Sequence, residues 1–457
     1  MKPLSRANAG APEPAPVRVV HLGLGAFFRA HQAWYTHRAN AEGGAEPAGI
    51  AAFTGRRPDA ARPISDQDGL YHVLVRDREG DQTELVTSLS GAYDGADTAR
   101  RHATFAAPEV GSVTLTVTEA GYRRGADGGP DLDDPALADD LVRLRAGNAD
   151  VATAPARLVS GLLARRAAEG GPLAVVPCDN LVDNGPTLAK VVVGLAAAVD
   201  EGFADWVEHN VSFVSTTIDR ITPATTPDDR QVVATLTGFA DQAPVVTEPF
   251  TEWVLAGEFP AGRPEWERGG ARFVDDVKPF EQRKLWLLNG AHSLLAYAGP
   301  TRGHTTVAEA IEDPICRGWV DAWWDEAARH LPLTADDIAK YRADLVERFA
   351  NPRIRHALAQ IAMDGSQKLP IRILPVLTRE RANGVLPEGG VRALAGWLAH
   401  LRKGSDVRDP RAAELTDLAA GSVPTAVHQV LALLDPALAD DADLVTAVGA
   451  TLRELEA

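Results

Sequence analysis

A chain of 457 residues, 45% hydrophobic and 24% charged, is long enough for two or three domains with large cores and has the balance of an ordinary globular protein. Its net charge of −17 supplies no basic field for phosphate backbones or anionic lipid, which argues against nucleic-acid and membrane partners and requires any anionic ligand to be held by local basic groups. Two cysteines, Cys178 and Cys316, lie far apart and outside any CxxC pair, which argues against a disulfide framework or a thiolate metal site and makes the cytoplasm the default compartment.

Residues 1–16 are rich in Pro and Ala, lack an apolar signal core, and are expected as a disordered leader. No run approaches the ~18 apolar residues of a membrane span. Residues 17–22 (VRVVHL) read as a strand that stops at Gly23-Leu24-Gly25, and AFFRAHQAWYTHRA after it has helical character. Strand, GxG turn and helix open a dinucleotide-binding βαβ unit, in which the glycines admit the pyrophosphate and the helix start favours negative charge. The third glycine of GxGxxG is absent, with Phe28 in its place.

Residues 49–54 (GIAAFT) form a second strand, at whose end a ribose-binding acid is expected. Gly55-Arg56-Arg57 stands there instead, which leaves open a contact to the 2′-phosphate of NADP or plain surface charge. QDGLYHVLVRD and TELVTSLSGAY alternate like strands of a hairpin or sheet extension. Residues 113–118 (VTLTVT) read as a buried strand ending at Glu119, a carboxylate that either faces the ligand crevice or caps the backbone.

The helix 155–169 leads to the strand LAVVP, which runs directly into Cys178-Asp179-Asn180 and then the turn formers Asn184-Gly185. Residues 211–218 are expected as one strand ending at Asp219-Arg220. This alternation predicts an α/β Rossmann-type domain over 17–270, a doubly wound parallel sheet. Beyond it, 271–457 reads as a mainly α-helical substrate and catalytic domain, with Thr334 capping a helix and Trp323, Trp324 and Trp397 in its core.

Within that domain, residues 278–299 (KPFEQRKLWLLNGAHSLLAYAG) read as one helix from Pro279 to Gly299-Pro300. At about 100° per residue, Glu281, Lys284 and His292 fall within roughly 80°, and Asn289 about 60° beyond His292. A lysine on such a face loses its proton when buried, which makes Lys284 a candidate base. Further on, DGSQKLPIR places Lys368 and Arg372 four apart, able to meet a carboxylate or to bind terminal carbonyls, with Pro370 between them arguing against a regular helix.

Six motifs in order resemble the mannitol dehydrogenase family of polyol-specific long-chain dehydrogenases: GLGAFFRAHQAWY, TVTEAGY, CDNLVDNG, IDRITP with TEPFTEWV, the KxxxxNxxH helix, and RFANPRIRH followed by DGSQKLPIR. The last string is similar to the fructuronate reductase branch. Phe28 departs from the histidine usual in the first motif. The resemblance spans about residues 17 to 375.

It implies a zinc-independent NAD(P)-dependent oxidoreductase that interconverts a secondary alcohol of a polyol or aldonate and the matching ketose or keto-uronate. Which of mannitol, mannonate, altronate, arabinitol or mannitol 1-phosphate is used stays open, and a non-catalytic nucleotide-binding relative is the rival class. Lys284 is then the general base, its pKa lowered from about 10.4 towards 7–8. Asn180 and Asn289 hold the reacting oxygen, His292 orients substrate hydroxyls, and Glu281 links Lys284 to solvent. Asp219, Lys368 and Arg372 bind substrate in a cleft between the domains. Gly23, Gly25, Phe27, Arg29, Glu119 and Arg56 are the cofactor candidates, with NAD favoured and NADP open. No metal is implied, and relatives point to a monomer.

Overall fold

The structure, a computed structural model, describes residues 1–43, 46–55, 57–404 and 407–457. The chain divides into two compact units, Met1–Lys278 and Pro279–Ala457.

The first unit is built on a six-stranded sheet: β1 (Val17–Leu22), β2 (Gly49–Phe53), β3 (Leu89–Tyr93), β4 (Ser112–Leu115), β5 (Leu173–Pro177) and β6 (Val211–Phe213). The strands are all parallel, in the order β3-β2-β1-β4-β5-β6. That order reverses direction between β1 and β4, the place where doubly wound sheets open a ligand crevice. Successive residues serve opposite faces. Val20, Ala51, Val113 and Val175 join the core formed with helices Thr98–Ala106, Ala154–Ala167 and Asn184–Val199. Val19, Ile50, Ala52 and Val176 join a second core with Tyr35, Trp253 and Trp266. Strands covered on both faces have no polar side to spare, hence their continuous apolar runs.

Three expectations change here. The leader is ordered: Lys2–Pro3 pairs with Phe239–Ala240, and Leu4 and Arg6 are buried. Arg6 donates to Thr87 O and Leu89 O at 3.0 and 2.9 Å, a long-range anchor that the local composition does not reveal. The strand expected over 113–118 ends at Leu115, because β1 beside it ends at Leu22 and leaves Thr116 to bond the Gly23 carbonyl through its hydroxyl. The strand expected over 211–218 is two. Val214 still donates to Val175 O at 2.9 Å, but Ser215–Asp219 leaves the parallel sheet and pairs antiparallel with Glu252–Ala256.

The remaining strands extend the unit: Tyr71–Arg76 and Asp81–Val86 form the expected hairpin, joined by Val245–Thr247. Among its described residues the second unit contains helices and no strand. Trp323, Trp324 and Trp397 are buried in it as expected. No described helix is long and apolar enough to cross a membrane.

The helix expected over 278–299 is not uniform. Lys278–Arg283 is α, Lys284–Gly290 is π, and Ala291–Ala298 is α again and wholly buried. Helix Glu388–Lys403 packs along Ala291–Ala298; a Cβ at Gly396 would lie 3.1 Å from Ala298 N.

Candidate active site

In the first unit a cavity of about 900 Å³ opens at the carboxyl ends of β1, β2 and β4, within the size range of ligand pockets. Its floor is the turn after β1. Gly23 has φ +110°, and a Cβ there would stand 2.4 Å from Thr116 O, so glycine is required. The amides of Gly23 and Leu24 both donate to Phe53 O at 2.9 Å, which hangs the turn from the end of β2. Below it His21 is buried, its Nδ1 2.8 Å from the hydroxyl of Thr114 and its Nε2 3.2 Å from that of Thr116. Burial pushes its pKa down to about 3, so the imidazole is neutral. Phe28, the departure from the family motif, stacks on that ring at 3.5 Å.

Of the cofactor candidates, Gly23, Gly25 and Arg29 line this cavity, while Phe27 and Glu119 do not. Phe27 stacks on His31 at 5.0 Å. Glu119 sits in an exposed 3-10 turn, Glu119–Tyr122, in a second depression with Arg123 and Arg124. Arg56 lies outside the described residues. The helix after the turn is shorter than expected: Ala26–Ala30 breaks at His31, whose Nε2 is 2.9 Å from Glu252 O, before Gln32–Ala41 begins. Arg29 donates from Nε to Gly25 O at 3.3 Å, and its Nη1 is tied to Ala243 O. Among the described lining residues there is no Asp or Glu, a donor-rich wall that suits a dinucleotide's phosphates.

After β5 the chain presents its polar loop. Asp179 is buried, accepting from the Tyr122 hydroxyl and from Leu181 N at 3.0 Å, and burial raises its pKa. These bonds hold the backbone on both sides of Asn180, whose side chain is exposed. Asn184 is structural: its Oδ1 accepts from Thr216 N at 2.9 Å and its amide donates to Thr216 Oγ1 at 3.2 Å. Asp219 is buried at the end of Ser215–Asp219. Arg220 beside it donates to Ala30 O at 2.5 Å and stacks over Trp34 at 4.5 Å, a framework role.

In the second unit the π segment decides the geometry. Residues five apart are about 140° apart on an α-helix. An i→i+5 ladder closes its turn over one more residue and brings such a pair close to one face. Lys284 and Asn289 are five apart, span this segment, and are both half-buried. The extra width is held from outside: Trp323 Nε1 donates to Trp286 O at 2.7 Å and Trp324 Nε1 to Leu287 O at 2.8 Å. Gly290 leaves room for Trp323, since a Cβ would come within 2.6 Å of its Nε1.

One turn on, His292 is buried, stacked on Phe349 at 4.5 Å and edge-on to His356 at 4.9 Å. Burial, reinforced by His356, Arg348 and Arg372, pushes its pKa well below 6.5. Its Nε2 has no hydrogen-bond partner among the described residues. Glu281 is half-buried on the preceding α turn.

Lys368 and Arg372 do not act as a pair. Lys368 Nζ donates to Met363 O at 2.6 Å and Ile361 O at 3.3 Å, closing the end of the preceding turn, while Arg372 Nη1 reaches Ser293 Oγ at 3.3 Å. Pro370 lies inside a helix after all, Gly365–Arg372; this short helix tolerates the one backbone hydrogen bond the proline removes. The grouping His304, Asp313 and Cys316 resembles a metal site, but Asp313 already binds Arg302 at 2.5 Å and caps Ile315 N at 2.9 Å.

The sequence reading missed Thr116, Arg157, Tyr122, Trp323 and Trp324. Each acts on a residue at least 37 positions away, and even where the residue stands in a motif, as Thr116 and Tyr122 do at the two ends of TVTEAGY, the motif does not name its partner.

Comparison with known proteins agrees with this architecture. Residues 17–268 match the mannitol dehydrogenase Rossmann domain and residues 276–456 the mannitol dehydrogenase C-terminal domain. The chain is 36% identical over 458 residues to the D-mannonate oxidoreductase of Escherichia coli (strain K12), covering 96% of this chain and 93% of that protein. It is 36% identical over 385 residues to the mannitol 2-dehydrogenase of Cereibacter sphaeroides, covering 83% and 80%. A solved structure of Pseudomonas fluorescens mannitol 2-dehydrogenase, in ternary complex with NAD and D-mannitol, matches with a TM-score of 0.80 at 31% identity, over 100% of this chain and 97% of that one. Two family domains in tandem, on a parallel sheet followed by helices, establish that the chain belongs to the mannitol dehydrogenase family of oxidoreductases.

Proposed function

We propose that this protein interconverts the secondary alcohol of an open-chain aldonate or polyol and the matching keto compound, with D-mannonate and D-fructuronate as the leading pair and D-mannitol and D-fructose as the neutral counterpart. The observation that carries the reading is the π segment, which puts Lys284 and Asn289 on one face next to a buried, neutral His292.

A nicotinamide dinucleotide supplies the hydride acceptor. Lys284 takes the hydroxyl proton as the C–H bond breaks and returns it in the reduction, a general base that needs no zinc to acidify the alcohol. Asn180 and Asn289 donate to the oxygen on which charge develops. His292 offers Nε2 to a substrate hydroxyl, Asp219 binds another, and Glu281 passes the proton between Lys284 and solvent. Arg372, held by Ser293, meets the carboxylate of the acid substrate.

The test is Lys284→Ala. It should bind NADH as wild type does, by fluorescence titration, and lose roughly 10²–10⁴-fold in kcat, the usual range for a positioned acid or base. Chelators should leave wild-type turnover unchanged. Near-normal turnover in the variant, or loss of activity on chelation, would overturn the mechanism.

A further inference from the structure

We propose that the carboxyl end of β2 is a 2′-phosphate site, formed by Arg57 and Arg157 around Thr54-Gly55, so that the enzyme takes NADP(H) as well as NAD(H). This rests on the nucleotide-binding reading of the β1–β2–β4 cavity.

In a sheet of this order the adenosine ribose lies at the end of the second strand, where an acid that pairs with the 2′-hydroxyl selects NAD and an arginine accommodates the 2′-phosphate of NADP. β2 ends at Phe53, followed by Thr54 and Gly55, neither of which is acidic. In a chain with 63 acidic and 46 basic residues, the described lining of this cavity carries six arginines, Arg29, Arg57, Arg101, Arg123, Arg157 and Arg230, and no carboxylate. Such a concentration of cations against the sign of the whole chain calls for an anion with more charge than the pyrophosphate near Arg29 alone.

Arg157 is placed for it. From helix Ala154–Ala167 its Nη1 donates to Thr54 O at 3.2 Å and Gly55 O at 3.0 Å, and its Nε to Val151 O at 3.3 Å. The guanidinium is thus pinned under the strand end, while Nη2 has no partner among the described residues. Gly95 makes room for this, since a Cβ would lie 2.1 Å from Thr54 O and 2.5 Å from Arg157 Nη1.

Arg101, buried alongside and bonded to Gly95 O at 2.5 Å, adds a second fixed cation. Of the acids that act on Arg157, Asp140 accepts from Ala152 N and Thr153 N, Asp94 accepts from Ala96 N, and Asp150 stands 3.8 Å from Arg143; none of the three lines the cavity. Arg57 is exposed, its contact with Asp59 a loose 3.9 Å pair that costs little to release. A pinned, backbone-bonded guanidinium and an exposed one at the same strand end form a clamp suited to a dianionic phosphate.

The test is binding of 2′,5′-ADP against 5′-AMP to the full chain by calorimetry, with kcat/KM for NADPH and NADH alongside. Wild type should bind 2′,5′-ADP at least tenfold more tightly, and Arg57→Ala and Arg157→Lys should each cut that advantage and the NADPH/NADH ratio about tenfold. Equal binding of the two nucleotides, or an advantage that survives both substitutions, overturns the phosphate site while leaving the dinucleotide cavity standing. Binding of neither nucleotide overturns both.

Discussion

Trp324 donates its indole N–H to the main-chain carbonyl of Leu287 at 2.8 Å, and its neighbour Trp323 does the same to Trp286 at 2.7 Å. Two adjacent side chains on helix Pro314–Ala328 thereby satisfy carbonyls in the π segment that carries Lys284 and Asn289. Tryptophan serves here both as core and as clamp, because its N–H reaches a carbonyl from within an apolar layer.

Trp323→Phe and Trp324→Phe keep the ring bulk and remove the donor. Each should lower stability by about 1 kcal/mol, the net worth of a hydrogen bond. If the indoles hold the catalytic geometry, kcat should also fall about tenfold, equivalent to about 1.4 kcal/mol of barrier, with the dinucleotide KM unchanged. Urea unfolding and steady-state kinetics separate the two effects, and wild-type kcat in both variants would reduce the pair to packing.

Asn180→Ala and Asn289→Ala should each cost about 10²–10³-fold in kcat, the range for losing one donor to developing charge. Neither should move the pH at which alcohol oxidation falls away, because an amide transfers no proton. A shifted inflection in either variant would place that residue in the proton path.

Substrate charge is read through Arg372. A charge-assisted hydrogen bond is worth about 1.5–3 kcal/mol, so Arg372→Met should lose roughly 10–100-fold in kcat/KM for fructuronate and much less for fructose. Wild type should turn over the keto-uronate at least as well as the ketose. Robust fructose reduction with no keto-uronate turnover would make a neutral polyol the substrate.

Stability should depend on pH through His21. The folded chain holds this imidazole neutral down to about pH 3, whereas the unfolded chain protonates it near 6.5. The unfolded state therefore binds the extra proton as pH drops, and stability declines from about 6.5 downward by up to about 1.4 kcal/mol per unit. His292, with its pKa also lowered, adds in the same direction. Urea midpoints between pH 7 and 5 should fall less steeply in His21→Asn than in wild type; parallel slopes would show that the decline arises elsewhere.

Much of this molecule is local, and the sequence by itself determined it. The apolar runs of Val17–Leu22 and Leu173–Pro177, the GxG turn, and the spacing of Lys284, Asn289 and His292 are properties of neighbouring residues, and they specify a doubly wound sheet followed by helices. Only the tertiary structure decided the rest, since it depends on groups brought together across tens of residues. The KxxxxN spacing sets Lys284 and Asn289 about 140° apart on a regular helix, within reach of one cleft, and the π segment, held by the Trp323 and Trp324 bonds, brings them closer to one face. Arg6 anchors a leader whose composition reads as disordered by bonding carbonyls more than 80 residues away. Lys368 and Arg372 look alike in DGSQKLPIR, yet carbonyls satisfy one and a serine hydroxyl holds the other. Hydrophobic period is written along the chain; which polar group finds which partner is settled only when distant segments fold against each other and each buried donor must find an acceptor.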